Sequence, residues 1–295
     1  MIVGAGPVGS GVARELLTNG ETVRMVTRSG SGVDGTDKRT ADASDAAQLS
    51  ELTEGAAAIY NCVNPPYHRW STDWPPVANA LLAAAESSGA VLATTGNLYG
   101  YGPVDAPMTE TTPLAATGTK GRVRNQMSRD AFDAHEAGRI RAFEVRGSDY
   151  LGGNSLLSML ITPALRKGRT AFVPANLDAQ HTWTNVEDVA RLLVVGASDQ
   201  RAWGSAWHVP SAPACSIREL TAVAAAQLGV RPKLRAIPPA ALWAIGLANR
   251  TVRELRETQH QFRKPFILDS SAAQATFGLR PASIEESVRL DLAGT

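Results

Sequence analysis

The sequence has little of what staples or metallates a small protein. Two cysteines, Cys62 and Cys215, stand among 295 residues, too few for a disulfide framework or a cysteine-rich zinc site. The five histidines are scattered, with no HxxH or HExxH pair, so no metal site is expected. An excess of charge of one sign is missing too: 29 Lys+Arg face 28 Asp+Glu, a net charge of +1. That balance gives no electrostatic footprint for nucleic acid or for an anionic membrane. No run approaches the ~20 apolar residues of a membrane helix. The best, at 240–248, is short and follows Pro238-Pro239. No basic leader precedes the first apolar residues, so no signal peptide is expected. These absences predict a soluble, cytoplasmic protein of a reducing compartment. The abrupt start at Met1-Ile2-Val3 suggests that a few residues of a first strand are missing.

What is present is a globular composition, with 44% hydrophobic and 19% charged residues, which excludes wholesale disorder. Apolar runs of strand length (1–3, 22–27, 57–63, 91–95, 140–146) alternate with amphipathic runs of helix length (9–19, 45–53, 76–87, 122–136). This alternation predicts an α/β fold with a doubly wound parallel sheet. The second half is less regular. It carries expected helices at 155–166, 186–197, 216–228 and 239–248, and short strands at 169–173 and 207–209. Glu187 and Asp188 fall in the first turn after Asn185, where acids suit the helix dipole.

Gly4-Ala5-Gly6-Pro7-Val8-Gly9 is a GxGxxG between a strand and a helix. The first glycine allows a tight turn, the second lets backbone approach a pyrophosphate, and the third lets helix and strand pack closely. The helix N-terminus then presents free N–H groups and a positive dipole end to the phosphates. After the second strand stand Thr27, Arg28 and Ser29, with no acid to grip a ribose 2′-OH. Arg28 can pair with a 2′-phosphate through its planar fork, so NADP(H) is expected in preference to NAD(H). Arg28 as a solvated surface residue is the other reading.

Several further stretches resemble the extended short-chain dehydrogenase/reductase superfamily, in its NAD-dependent epimerase/dehydratase branch. Thr94-Thr95-Gly96-Asn97-Leu98-Tyr99-Gly100 resembles its Ser-Ser-x-x-Val-Tyr-Gly stretch, and TETTPL from Thr109 its TE-x-TP loop. Arg146-Gly147-Ser148-Asp149-Tyr150-Leu151-Gly152 resembles R-x-x-N-x-Y-G-P with Leu151 in the Tyr slot, WTNVEDV from Trp183 its FV-H-V-D-D-V, and Ser216–Leu220 its S-I-R-E-L helix start. The resemblance implies a Rossmann domain over 1–150 with a returning segment at about 178–210, and a smaller C-terminal substrate domain from 151–177 and 211–295. It implies that Thr95 orients a substrate oxygen, with Asn97 beside it. It also implies that the end of the fourth strand, Cys62, Val63 and Asn64, passes under the nicotinamide, and that Asp42 touches the adenine. An N-terminal helix cap is the alternative for Asp42.

The sequence departs from that family at its catalytic Tyr-x-x-x-Lys. The matching stretch carries Lys120 and Arg124. Arg124 can hold ribose hydroxyls but cannot act as a general acid at neutral pH. Lys120, or Tyr99 or Tyr101 from the loop after the fifth strand, is expected to exchange the proton. Tyr67, His68, Trp70 and Trp74 are read as an aromatic substrate wall or as loop packing. Cys62 reads as a small core residue rather than a nucleophile. Asp149, in place of the family's Asn, would repel a sugar-nucleotide phosphate, or else satisfy local backbone N–H groups. Arg250, Arg253, Arg256 and Arg263 read as a solvated helix face.

The expected activity is that of an NADP(H)-dependent oxidoreductase or epimerase-like enzyme on a small carbonyl or hydroxyl substrate. A nucleotide-sugar epimerase or dehydratase, and an NADP(H)-binding sensor without turnover, are the alternatives. A homodimer through helices 76–87 and 122–136 is compatible with their mixed surfaces.

Overall fold

The computed structural model describes residues 1–248 and 256–294; Arg250, Arg253 and Glu254 of the basic stretch lie outside them. Alternation along the short strands decides the layering. In β1 (Ile2–Val3), β2 (Arg24–Thr27) and β4 (Ala58–Asn61), the side chains of Ile2, Met25 and Tyr60 enter one core, and Val3, Val26 and Ile59 the other. Successive residues of a strand face opposite sides, so both faces of this sheet must be covered. The first core is closed by α1 (Pro7–Thr18) and α6 (Val186–Ser198). The second is closed by α2 (Ala46–Thr53), α3 (Trp70–Ser88) and α4 (Thr119–Glu136). At the α1–α6 crossing, a Cβ on Gly11 would lie 3.1 Å from the Ala190 methyl. A larger residue at 11 would push the helices apart.

With β3 (Asp37–Thr40), β5 (Val91–Asn97), β6 (Arg141–Gly147) and β11 (Ala206–His208), the main sheet has seven strands in the order β11-β6-β5-β4-β1-β2-β3. Every pairing in it is parallel. Strand order reverses between β1 and β4. The carboxyl ends on either side of such a switch point leave a crevice for a ligand.

Three two-stranded ladders lie outside the main sheet: β7 (Asp149–Leu151) with β10 (Trp183–Asn185), β9 (Gln180–His181) with β12 (Cys215–Ser216), and β8 (Ala171–Val173) with β13 (Leu234–Ala236). They surround a third apolar cluster that includes Leu151, Leu157, Val173, Trp183, Ile217 and Val288. The helices of this half are α5 (Thr162–Arg166), α7 (Ile217–Leu228), α8 (Pro239–Ala248), α9 (Ser271–Phe277) and α10 (Ile284–Ala293).

Two expected boundaries shift. The helix expected from 76 begins at Trp70 and carries Pro75 and Pro76 inside. Interior prolines cost about 3 kcal/mol or more. Trp70 and Trp74 are 1% and 0% exposed, and burying such rings returns roughly 4–6 kcal/mol each, so packing outweighs propensity. The run at 155–166 is a π-turn, Leu157–Ile161, followed by the short α5. Among the described residues, no helix is long and apolar enough to cross a membrane, and no three His, Cys, Asp or Glu cluster as metal ligands.

Candidate active site

The glycine-rich turn joins β1 to α1 with little room to spare. Gly4 has φ +103°, and a Cβ there would lie 2.6 Å from the Cys62 carbonyl oxygen. A Cβ on Gly9 would overlap the Gly4 carbonyl. Around Gly6 nothing lies within 4 Å of where a Cβ would be, so the second glycine faces open space. Gly6 is the N-cap of α1 and makes no side-chain cap, with Pro7 following at the first helical position. First-turn N–H groups of a helix have no partner within it. A closed turn, an open second glycine and an uncapped helix end together fit a pyrophosphate.

A cavity of about 260 Å³ opens from this turn. Its wall includes Gly6, Pro7 and Val8 of the turn, Cys62, Val63, Asn64, Tyr67, Trp70, Thr95, Asn97, Tyr99 and Arg124, and Ser148, Asp149, Tyr150, Gln261 and Phe266. The Thr95 hydroxyl donates to Cys62 Sγ at 3.7 Å. Burial pushes the Cys62 thiol up to about 12, so it stays protonated near neutrality and is a poor nucleophile. Asn97 Oδ1 accepts from the Tyr99 N–H at 3.1 Å, setting the turn that presents the Tyr99 ring.

Arg124 is buried and lies on two indoles, its guanidinium carbon 4.8 Å from the Trp70 ring and 4.4 Å from the Trp74 ring. It donates to the Thr95 carbonyl at 3.2 Å, and its Nε has no hydrogen-bond partner. A buried donor left unpaired is costly, which suits a site completed by a ligand oxygen such as a ribose hydroxyl.

The Tyr67 and Tyr99 hydroxyls are hydrogen-bonded at 2.8 Å. Tyr67 meets Trp70 edge-on with centroids 5.2 Å apart, and Trp70 lies 5.8 Å from Tyr99. Burial, reinforced by Tyr67, raises the Tyr99 phenol well above its ordinary range. At neutral pH it is therefore a hydrogen-bond donor rather than a base.

Other expected site residues are placed elsewhere. Lys120 is 3% exposed but is not in the cavity wall. Its Nζ lies 3.4 Å from Glu257 Oε2, and Glu257 Oε1 accepts its backbone N–H at 2.6 Å. Tyr101 faces the core: its hydroxyl accepts from Arg146 at 2.9 Å and meets His208 Nε2 at 2.7 Å. Packing on the far side of its turn draws that ring away from the cavity that Tyr99 lines. His68 is exposed and outside the cavity wall, in a 3-10 turn, Tyr67–Arg69. Trp74 is sealed behind Trp70.

At the edge of the sheet, Thr27 donates to the Ser31 carbonyl and Arg28 is exposed. The Asp42 carboxylate accepts from both the N–H and the hydroxyl of Ser44. Asp42 thus makes a local turn, while the cap of α2 is Asp45, which accepts from the Gln48 N–H. Arg256 donates to the Trp243 carbonyl and Arg263 to Gln259, outside the cavity.

Asp149 lies in the cavity wall, and its Oδ2 is 2.7 Å from His181 Nε2. His181, Ser148, Tyr150 and Gln261 were not singled out in the sequence. The Tyr150 hydroxyl donates to the Gly96 carbonyl at 2.6 Å. Ser148 and Tyr150 flank Asp149 and could have been included with it. His181 carries no local signal: the β7–β10 pairing, Asp149 opposite Trp183, brings it there.

Fold and site together define a dinucleotide-binding enzyme scaffold of the extended short-chain dehydrogenase type. A sequence model of the NAD dependent epimerase/dehydratase family matches residues 1–205. The chain belongs to that family, whose members are oxidoreductase-type enzymes. Among solved structures it is similar to the Streptomyces venezuelae dTDP-glucose 4,6-dehydratase DesIV with NAD bound, at 19% identity and TM-score 0.76, covering 98% of this chain and 95% of that one. It is also similar to UDP-glucose 4-epimerase from Thermotoga maritima with UDP-glucose, at 16% identity and TM-score 0.80, covering 99% and 97%. A third is the NAD complex of a Bacillus anthracis dTDP-glucose 4,6-dehydratase, at 14% identity and TM-score 0.79, covering 99% and 94%. At these identities the likeness is one of fold. Among curated proteins none matches.

Proposed function

We propose that the protein is an NADP(H)-dependent oxidoreductase acting on a small carbonyl or hydroxyl compound. The observation that carries this is one cavity whose wall holds both the open glycine of the phosphate turn and Thr95, Tyr99 and aromatic side chains. Bound nicotinamide would supply or accept a hydride. Gly6 and the α1 N-terminus would hold the pyrophosphate, Arg28 the 2′-phosphate, and Arg124 a ribose hydroxyl. Cys62, Val63 and Asn64 would border the nicotinamide. Thr95 would release its weak contact to the Cys62 sulfur and, with Tyr99, hold the substrate oxygen. Tyr67 and Trp70 give the cavity flat apolar walls, which suit an aromatic or apolar substrate.

A second reading, conversion of a nucleotide sugar, is favoured by the structural neighbours, one solved with NAD and another with UDP-glucose. Asp149 in the cavity wall opposes it, because a carboxylate repels a diphosphate. The test is a fluorescence titration with NADPH and with NADH, followed by calorimetry with UDP and UDP-glucose. Tight NADPH binding, weak NADH binding and no diphosphate binding are expected. If neither nicotinamide binds, the proposal fails; if UDP-glucose binds tightly, the second reading replaces it.

A further inference from the structure

The family's proton-exchanging phenol is absent, Lys120 is paired with Glu257 outside the cavity wall, and burial keeps the Tyr99 phenol protonated. Resting on the oxidoreductase reading, we infer that Asp149 is the proton-exchanging residue of this site and that buried His181 holds and positions its proton. Asp149 is catalytic in this scheme and His181 is a positioning residue.

The geometry joins a buried ring to a carboxylate in the cavity wall. His181 is 2% exposed. Its Nδ1 lies 3.3 Å from the Gln261 carbonyl, which can only accept, so Nδ1 carries a hydrogen. Its Nε2 lies 2.7 Å from Asp149 Oδ2. The ring is stacked on Phe262, with centroids 5.1 Å apart and planes at 7°, and on Phe266 at 5.5 Å. Those faces fix its orientation. A ring with acceptors at both nitrogens shares a second proton with the carboxylate. Asp149, whose side chain is 27% exposed, is the member of the pair that reaches the cavity. Next to it, Ser148 Oγ and Gln261 Nε2, both in the cavity wall, are buried without a hydrogen-bond partner, as in a site that a ligand completes.

In the reducing direction, the carbonyl carbon gains a hydride from NADPH, which becomes NADP⁺. The carbonyl oxygen takes the proton of the pair. Asp149 is left as a carboxylate beside neutral His181, and the pair regains a proton from water through the cavity. Oxidation of an alcohol runs the same steps backwards. Facing the pair are Arg124, Tyr67, Tyr99 and Tyr150 in the cavity, Lys120 beside the Tyr67 ring, Glu257 paired with Lys120, and His260 against Phe266. None of the three tyrosines nor Arg124 titrates near neutrality. Burial raises the phenols, and a guanidinium stays charged. The 2.7 Å contact between His181 Nε2 and Asp149 Oδ2 is what sets an exchangeable proton at the cavity wall.

The test uses the full chain, loaded with NADP⁺ and labelled with ¹⁵N-histidine, as wild type, D149N and H181Q. H181Q identifies the His181 ring signals. In the wild type both ring nitrogens should carry protons at neutral pH. In D149N the Nε2 signal should shift, because the carboxylate oxygen that shares its proton is gone. A His181 ring with a single proton, and with the same ring signals in wild type and D149N, overturns the inference. In parallel, NADPH consumption is followed with a panel of aromatic and aliphatic aldehydes and ketones. D149N should lower turnover by about 10²–10⁴-fold, the usual worth of a general acid, and abolish its pH dependence near neutrality, with NADPH affinity within about twofold of wild type. H181Q should shift the pH profile by changing the Asp149 proton. D149N is isosteric and keeps the inference testable if H181Q unfolds. Wild-type turnover in D149N overturns the inference and leaves the proposed function standing. NADPH binding with no wild-type turnover of any carbonyl overturns the proposed function, and the inference with it.

Discussion

The Tyr67 and Tyr99 hydroxyls share one hydrogen bond, 2.8 Å long, at the edge of the aromatic wall. One of the two protons bridges the pair, so the other is available to a substrate oxygen. Tyr99→Phe should lower the rate of NADPH oxidation by about 10–100-fold, the worth of one hydrogen bond to a charged group. Tyr67→Phe should cost less, because Tyr99 keeps its own hydroxyl. NADPH affinity, read by fluorescence, should change little in either. Equal activity of wild type and Tyr99→Phe would remove Tyr99 from the reaction.

Lys120→Met should lower stability more than turnover. The substitution strands Glu257, which keeps its bond to the backbone N–H of residue 120 and partial access to water. A cost of about 1–2 kcal/mol is expected, between that of exposed and fully buried pairs. Denaturant unfolding measures it. A turnover loss of about 100-fold or more at unchanged stability would instead make Lys120 the proton donor.

Arg28→Ala should separate the two nicotinamide cofactors. A charge-assisted pair with a 2′-phosphate is worth roughly 1.5–3 kcal/mol, so NADPH affinity should fall about 10–100-fold while NADH affinity stays put. Added salt should shrink the difference, because Arg28 is exposed and its field is screened. Equal losses for both cofactors would show that Arg28 does not read the 2′ position.

His208 makes stability sensitive to acid. Burial, with no exposed surface, holds its ring below the ordinary histidine range, although Glu110 pulls the other way. Its Nδ1 donates to the Asp269 carbonyl at 2.8 Å, and Nε2 accepts from the Tyr101 hydroxyl at 2.7 Å. The unfolded ring takes up a proton near pH ~6.5, and the folded ring only at lower pH. Its contribution is therefore complete above about pH 6.5 and is lost as pH falls below that, with a slope of up to about 1.4 kcal/mol per pH unit. His208→Gln should show a shallower loss of melting temperature between neutral and mildly acidic buffer. Parallel curves would exclude this ring as the cause.

Much of the fold was legible because it rests on local rules. The glycine spacing at Gly4, Gly6 and Gly9 states a turn. Alternating apolar residues in Ile2-Val3, Met25-Val26 and Ile59-Tyr60 state a sheet covered on both faces. Thr95 and Tyr99 came from the resemblance of their stretch to a family motif, and the fold sets both in the wall of one cavity. The start of α3 was not legible, since Pro75 and Pro76 argue locally against a helix that Trp70 and Trp74 secure by burial.

Pairings across the chain were decided by tertiary structure alone. Nothing near Lys120 announces Glu257, and nothing near Tyr101 announces Arg146 and His208 as the partners that draw its hydroxyl inward. Asp149 reads from its own segment as a carboxylate in place of the family's Asn, and His181 as an isolated histidine. They meet because β7 and β10 pair in parallel and the Phe262 and Phe266 rings close over the imidazole. Backbone propensity and hydrophobic period act over a few residues and are written locally. The protonation and orientation of a side chain depend on whichever distant groups share its burial, and only the folded chain brings those together.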